Sequence, residues 1–394
     1  MTKTKINILT CLIGFSQIYA WATTYYLPAI LVKIVALEWG QSYTAIVGGF
    51  SWALLIGGIF APKIGSWIEE EGGLRPLTVG SLLMGIGLIF LAQAHGLLMW
   101  YSAWTIIGFG MALGLFNAAF AAIGRLLGQK SKKIIIRITL ISGFATLVWP
   151  LTTYLTDTLG WRTMVLIYAI PHIILWAPLF YFTIPRAVPE HTEEPPSNNL
   201  ILPEKVKIVF YLLAFYAVLR AMVGTTISVN IINMFEGLSI AAGTAAVIAS
   251  LIGPSQIVGR LLEMYFGRTF DPIHSTLFWS AMLPFAIFIL IFVGNALAPA
   301  FAIGYGMSNG VLTITMGILP MILFGANGYA KIIGKLALPT LIAQAVSPLL
   351  FAPMIEHWSA SNVFIFAGLL GFAAFLCIAA LPIIIRQKHK SEAI

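Results

Sequence analysis

Arg220 is the residue best placed to do chemistry in this 394-residue chain. It sits in the apolar run Ala214-Phe215-Tyr216-Ala217-Val218-Leu219-Arg220-Ala221-Met222, and Lys207 marks one end of that run. An arginine at the middle of a bilayer costs at least about 2.5–3.5 kcal/mol on insertion scales. It therefore faces a bundle interior and takes a partner. Two partners remain open at this stage. Backbone carbonyls or helix ends would make it structural; an anion arriving from solution would make it a binding residue. The second is favoured because no Asp or Glu falls at mid-depth in any apolar run; each lies near a run's end or in a polar stretch. A guanidinium presents a planar fork of donors that suits carboxylate or phosphate.

Neutral polar residues recur at helical spacing. Gln17, Trp21 and Thr24 stand at i, i+4 and i+7, Tyr305, Asn309 and Thr313 share a second face, and Asn117 lies near mid-depth in its own run. Such residues either fix a polar ligand or join helices by hydrogen bonds worth about 0.6 kcal/mol on average in membranes. Gln256, Arg260 and Glu263 share a third face, where Arg260 and Glu263 are spaced to pair. His172, beside Pro171, is the one mid-depth histidine. Gly108-x-Gly110 and Gly304-x-Gly306 follow no strand, so they are small residues at helix contacts rather than a dinucleotide fingerprint. No Gly-x-x-x-x-Gly-Lys-Ser/Thr pattern occurs, so uphill movement of a solute has to draw on a gradient. Cys11 and Cys377 form no metal or disulfide pattern and are expected to be buried free thiols. No metal and no cofactor is expected, and the chain is not expected to be an enzyme.

Composition supplies the setting for these residues. With 59% hydrophobic residues, 9% charged residues and a mean hydropathy of +0.94, the chain is far from the roughly 25% charged content of soluble domains. It reads as an all-α membrane protein. Twelve spans fit the pattern: 7–34, 42–66, 76–95, 98–124, 134–157, 163–185, 206–234, 239–265, 274–294, 298–323, 330–355 and 361–385. The first is too long for the apolar region of a signal peptide, so it is expected to stay. The net charge of +8 lies in short gaps between runs rather than along an aromatic-studded stripe, which excludes a nucleic-acid partner.

Lysine and arginine fall almost entirely on one side if the N-terminus is cytoplasmic; only Lys33 and Arg162 fall outside. Both termini are then cytoplasmic, in a bacterial inner membrane. The polar, proline-bearing stretch 187–204 divides the chain into bundles of six spans, 1–186 and 205–394. The halves repeat. Ile107-Gly108-Phe109-Gly110-Met111-Ala112-Leu113-Gly114 answers Ile303-Gly304-Tyr305-Gly306-Met307-Ser308-Asn309-Gly310, Gly65-x-x-x-Glu69 answers Gly259-x-x-x-Glu263, and Trp149-Pro150 answers Ser347-Pro348. Paired halves around a central cavity are how many secondary transporters are built.

Between spans two and three runs Gly65-Ser66-Trp67-Ile68-Glu69-Glu70-Glu71-Gly72-Gly73-Leu74-Arg75-Pro76. This resembles the loop motif of the major facilitator superfamily, with Glu69 in the place of the usual Asp and Gly65, Gly72 and Arg75 fitting. The chain is similar to uncharacterised bacterial members over essentially its whole length. The resemblance implies twelve helices in two pseudo-symmetric six-helix bundles around a central cavity. It implies that spans one, four, seven and ten line that cavity, with Arg220, Gln17, Trp21, Asn117, Tyr305 and Asn309 as substrate-binding candidates. It also implies gating by Glu69, Arg75, Arg260 and Glu263. Proton-driven drug exporters of the family carry an Arg where this chain has Trp104, and their Gly-Pro motif is broken here by Trp149-Pro150. The expected function is alternating-access transport of a small organic anion, chiefly a carboxylate, with a proton as candidate coupling ion and a monomer as functional unit. The alternatives are efflux of a neutral or amphipathic toxic compound, drug or metalloid, and a solute receptor that does not transport.

Overall fold

The computed structural model describes residues 2–185, 205–266, 271–325 and 327–391; the expected linker, 187–204, lies outside them. Regular structure among the described residues is helical throughout. Nine of these helices are long and apolar enough to cross a membrane. A backbone in hydrocarbon must satisfy its own N–H and C=O groups, and a helix does so within one segment. The chain forms two compact units, Met1–Glu194 with Ala326–Ala345 and Pro195–Gly325 with Val346–Ile394.

Several expected spans are interrupted. The fourth breaks between helices Leu97–Gly114 and Phe116–Leu127, because Leu115 is extended (φ −82°, ψ −174°). The polar stretch from Gln129 to Lys133 is not a loop: a 3₁₀ turn over Gly128–Lys130 leads directly into helix Ser131–Ser142. The fifth span then passes through a 3₁₀ stretch, Gly143–Val148, before helix Trp149–Leu159 resumes with Pro150 in its first turn. The eighth divides into Ala242–Ser250 and Ile252–Phe266. Proline is harmless in a first turn, where its missing N–H would have no intrahelical partner.

Spans one and six each contain a π-helical turn, Trp21–Tyr25 and His172–Trp176. The second directly follows Pro171, whose ring cannot pack against the preceding turn of a regular helix. Single π turns inside α-helices are frequent at functional sites.

Each unit has its own core. Trp100, Trp104, Phe50, Trp161 and Tyr168 anchor the first, and Phe235, Phe301, Tyr305 and Phe364 the second. Trp104 is fully buried, edge-on to Trp100 and Phe50, so the position that carries Arg in the drug exporters is here a packing position. Cys377 is buried as expected, but Cys11 is exposed. An apolar run does not reveal which helical face turns outward.

Candidate functional site

Arg220 is the fifteenth of 32 residues in helix Val206–Gly237, far from either end. Its Nη2 donates to Asn309 Oδ1 at 3.4 Å and to Thr313 Oγ1 at 3.2 Å, both on helix Ala298–Phe324. The Thr313 hydroxyl donates to the Asn309 carbonyl at 2.8 Å, which leaves its oxygen free to accept from the guanidinium. Arg220 Nε is buried and has no hydrogen-bond partner among the described residues. None of the ion pairs among the described residues includes Arg220. Two long bonds to neutral acceptors orient this cation without neutralising it. Tyr305, by contrast, is 1% exposed, stacks on Phe301 and donates to Gly224 O at 3.4 Å, so it belongs to the packing of this unit.

In the first unit the candidates gather where spans one and four are both irregular. Gln17 Nε2 donates to Gly114 O at 2.7 Å, at the break in span four. Gln17 Oε1 accepts from Trp21 Nε1 at 3.2 Å. Gln17 is 1% exposed with both ends of its amide in use, so it positions its neighbours. Trp21 is partly exposed, its ring 4.9 Å from Phe116 and 4.5 Å from Tyr25. Asn117, one residue beyond Phe116, is exposed. Thr24 is buried and donates to its own helix, to Ala20 O at 2.6 Å.

His172, also in the first unit, lies in a different kind of cluster. Its Nε2 is 2.9 Å from Thr23 Oγ1, and the Thr23 hydroxyl donates to Tyr19 O at 2.8 Å. Ser81 Oγ donates to His172 O at 2.9 Å and stands 3.4 Å from Nδ1. Tyr19 packs its ring 4.9 Å from the imidazole and donates to Tyr168 O at 2.8 Å. Thr152 Oγ1 and Tyr168 Oη are 2.7 Å apart. The whole set ties spans one, three, five and six together.

The loop motif has a defined role within the first unit. Glu69 accepts from the backbone N–H of Gly328 at 3.2 Å and of Ala330 at 3.1 Å, at the start of helix Tyr329–His357. A carboxylate there satisfies orphan donors and meets the positive end of the helix dipole. Gly65 makes this approach possible, since a Cβ on it would collide with the Ala330 carbonyl. Arg125 holds Glu69 from the other side, through Nε to Glu69 O at 2.8 Å and an ion pair at 3.8 Å. The sequence reading missed Arg125, which has no motif spacing to Glu69. Arg75 pairs with Glu71 at 2.7 Å on an exposed surface rather than with Glu69. In the second unit Glu263 accepts from Ser275 Oγ at 2.7 Å and Trp279 Nε1 at 3.3 Å, while Arg260, 5% exposed, donates to Gly310 O at 3.3 Å. Among the described residues no three His, Cys, Asp or Glu side chains gather to hold a metal.

Residues 10–337 match the sequence profile of the Major Facilitator Superfamily. The chain belongs to this superfamily. Its fold agrees with solved transporters of the group. The Escherichia coli fucose:proton symporter FucP matches at TM-score 0.72 with 14% identity, over 95% of this chain and 98% of its own. The proton:xylose symporter XylE matches at 0.73 with 14% identity, over 98% and 97%. The human organic anion transporter MFSD10 (TETRAN) matches at 0.71 with 13% identity, over 96% and 100%. Compared by sequence with curated proteins, the chain matches none. The protein is thus a multi-pass membrane transporter of small molecules and not an enzyme, with the twelve-helix layout of the major facilitators.

Proposed function

We propose that this major facilitator carries a small organic anion, chiefly a carboxylate, and that Arg220 is its charge-recognising residue. The reading rests on one observation: a mid-span guanidinium oriented by Asn309 and Thr313 whose buried Nε has no hydrogen-bond partner among the described residues. Leaving a cation in that state in a membrane protein is costly, and a carboxylate taken up as cargo offsets the cost. Transport without an ATPase draws on a gradient. A proton is the coupling ion we favour, since two structural neighbours are described as proton symporters. A third is described as an organic anion transporter, which is consistent with the cargo class. The one-sided lysines and arginines favour cytoplasmic termini, with the loop motif on the same side. Glu69 is the gating residue on this view: its contacts at Gly328 and Ala330 favour one conformation without touching cargo.

Arg220→Ala tests the cargo. Removing one partner of a desolvated, hydrogen-bonded charge pair costs roughly 2–5 kcal/mol, so affinity for a bound carboxylate falls by well over tenfold at about 1.4 kcal/mol per decade. Affinity and melting temperature are read on the same purified variant. A folded Arg220→Ala protein with unchanged affinity and turnover overturns the anion reading and promotes export of a neutral compound.

A further inference from the structure

The starting ends of spans one and five carry a cluster of charge that cargo recognition does not use. Helix Lys3–Ala20 packs on helix Ser131–Ser142 within the first unit. The two touch at Gly14, where a Cβ would collide with the Ile141 side chain. Further on, the π turn Trp21–Tyr25 meets the 3₁₀ stretch Gly143–Val148, so both segments run in the same direction.

Helical geometry then fixes what lines the seam between them. At about 100° per residue, Ile8, Cys11 and Phe15 lie roughly 60–120° round from Gly14 in one sense. Lys133 and Arg137 lie roughly 40–80° round from Ile141 in the opposite sense. For parallel helices that face each other, opposite senses lead to one side of the pair. All five side chains are exposed, as are Lys3, Lys130 and Phe144. Charge stands at the mouth and apolar surface deeper: Lys133 and Arg137 lie about 12 and 6 Å before the Ile141 contact and Ile8 about 9 Å before Gly14, while Phe15 and Phe144 follow it. A lysine at a helix start needs no partner, but Arg137 is different. It falls inside the expected span 134–157, and it stands four residues from Lys133, a spacing at which like charges repel. No ion pair or side-chain hydrogen bond among the described residues engages Lys3, Lys130, Lys133 or Arg137. The acids of the loop motif are taken, Glu69 by Arg125, Glu70 by Lys331 and Glu71 by Arg75.

We infer that the seam between helices Lys3–Ala20 and Ser131–Ser142 binds an anionic phospholipid, with its phosphate on Arg137 and Lys133 and an acyl chain along Ile8, Cys11, Phe15 and Phe144. Basic pockets between membrane helices suit such headgroups, and a guanidinium meets phosphate with two parallel bonds. A free phosphate would meet the charges and leave the apolar walls bare, so the occupant is a lipid. Its tail gains little from burial, being in hydrocarbon already, but it gains dispersion contacts with the walls. The site lies wholly within the first unit and is independent of the cargo.

The test measures binding of fluorescent phosphatidylglycerol and of phosphatidylcholine with the same chains to the full-length protein in a neutral detergent. Wild type should prefer the anionic lipid by about tenfold or more, since each basic residue near an anionic headgroup contributes about fivefold. Lys133→Gln and Arg137→Gln should each remove about fivefold of that preference, and the double variant nearly all of it. Both positions are exposed, so the melting temperature should hold. Arg137→Lys, which keeps the charge, should retain most of the binding. Cys11→Trp changes no charge but fills the seam, and should weaken both lipids. Lys63→Gln, at an exposed lysine on another helix of the unit, should change nothing. Equal binding of the two lipids by wild type, an unchanged preference in the double variant, wild-type binding by Cys11→Trp, or a loss in Lys63→Gln as large as in Arg137→Gln overturns the site. So does displacement by inorganic phosphate at the concentration of the lipid. A preference that appears only after Glu190→Gln, Glu193→Gln and Glu194→Gln are combined also overturns it, because the linker is then the occupant.

Discussion

Around His172, polar groups meet polar groups. Thr23 and Ser81 donate to backbone carbonyls and face the two ring nitrogens, Tyr19 reaches Tyr168 O, and Thr152 reaches the Tyr168 phenol. Around Arg220, two neutral acceptors hold one nitrogen, and the buried Nε has no hydrogen-bond partner among the described residues. Both clusters lie at mid-span, and both contain a titratable or charged side chain. The difference teaches how to separate glue from site in a membrane protein. A neutral polar group whose contacts lie within the helices it joins reads as glue, whereas a charged group that is oriented but not neutralised is the better candidate for an incoming ligand; an unpartnered buried nitrogen alone does not decide, since Trp104 Nε1 and Trp176 Nε1 share that state. This contrast is why we propose Arg220 and not His172 as the cargo residue, although each is a lone ionisable residue in an apolar run.

Substitutions can break that contrast. His172→Ala should produce the largest change in stability, about 2–3 kcal/mol through the cavity and the lost hydrogen bonds, with carboxylate affinity unchanged. A large fall in affinity at constant melting temperature would make His172 part of the site. Arg220→Lys should do the reverse. It keeps the charge but loses the planar fork, so affinity drops by about tenfold, or 1.4 kcal/mol, while the melting temperature holds. Full affinity in the lysine variant would mean that the site reads charge alone.

Smaller effects sharpen the picture. Glu69→Gln weakens a charged helix cap by up to about 1 kcal/mol. Uptake into proteoliposomes should slow several-fold while ligand binding to the purified variant survives; joint loss of both from folded protein would remove Glu69 from the gate. Thr313→Val takes away one of the two acceptors that aim Arg220. At the roughly 0.6 kcal/mol typical of hydrogen bonds between membrane helices, affinity should fall about threefold, and a fall as deep as that of Arg220→Ala would make Thr313 a direct ligand contact.

Helical spacing made part of this visible beforehand. Asn309 and Thr313, four apart, fall on the face that meets Arg220, and the cost of a mid-span arginine singled that residue out from the sequence alone. Tyr305, on the same face by spacing, is packed into the core, because the tenth span is buried on most of its circumference. Gln17 looked like a ligand contact because no local pattern reveals that Gly114, 97 residues away, needs a donor. Glu69 was legible as part of a motif, but its partners Gly328 and Ala330 are about 260 positions distant. Neither π turn shows in the periodicity, since one extra residue in a uniformly apolar helix leaves no gap in the pattern. Pro171 is the single local sign of the second.

The bond from Gln17 to Gly114 also bears on how the protein is made. The two residues are 97 apart in the chain, and synthesis at about 5–20 residues per second separates them by roughly 5–20 s. During that interval the first span holds a primary amide without its eventual acceptor, and the fourth does not yet exist to need it. The π turn and the helix break thus become mutually supported only when the fourth span arrives, so their joint geometry is a late product of biogenesis and not a property that either helix brings into the bilayer on its own.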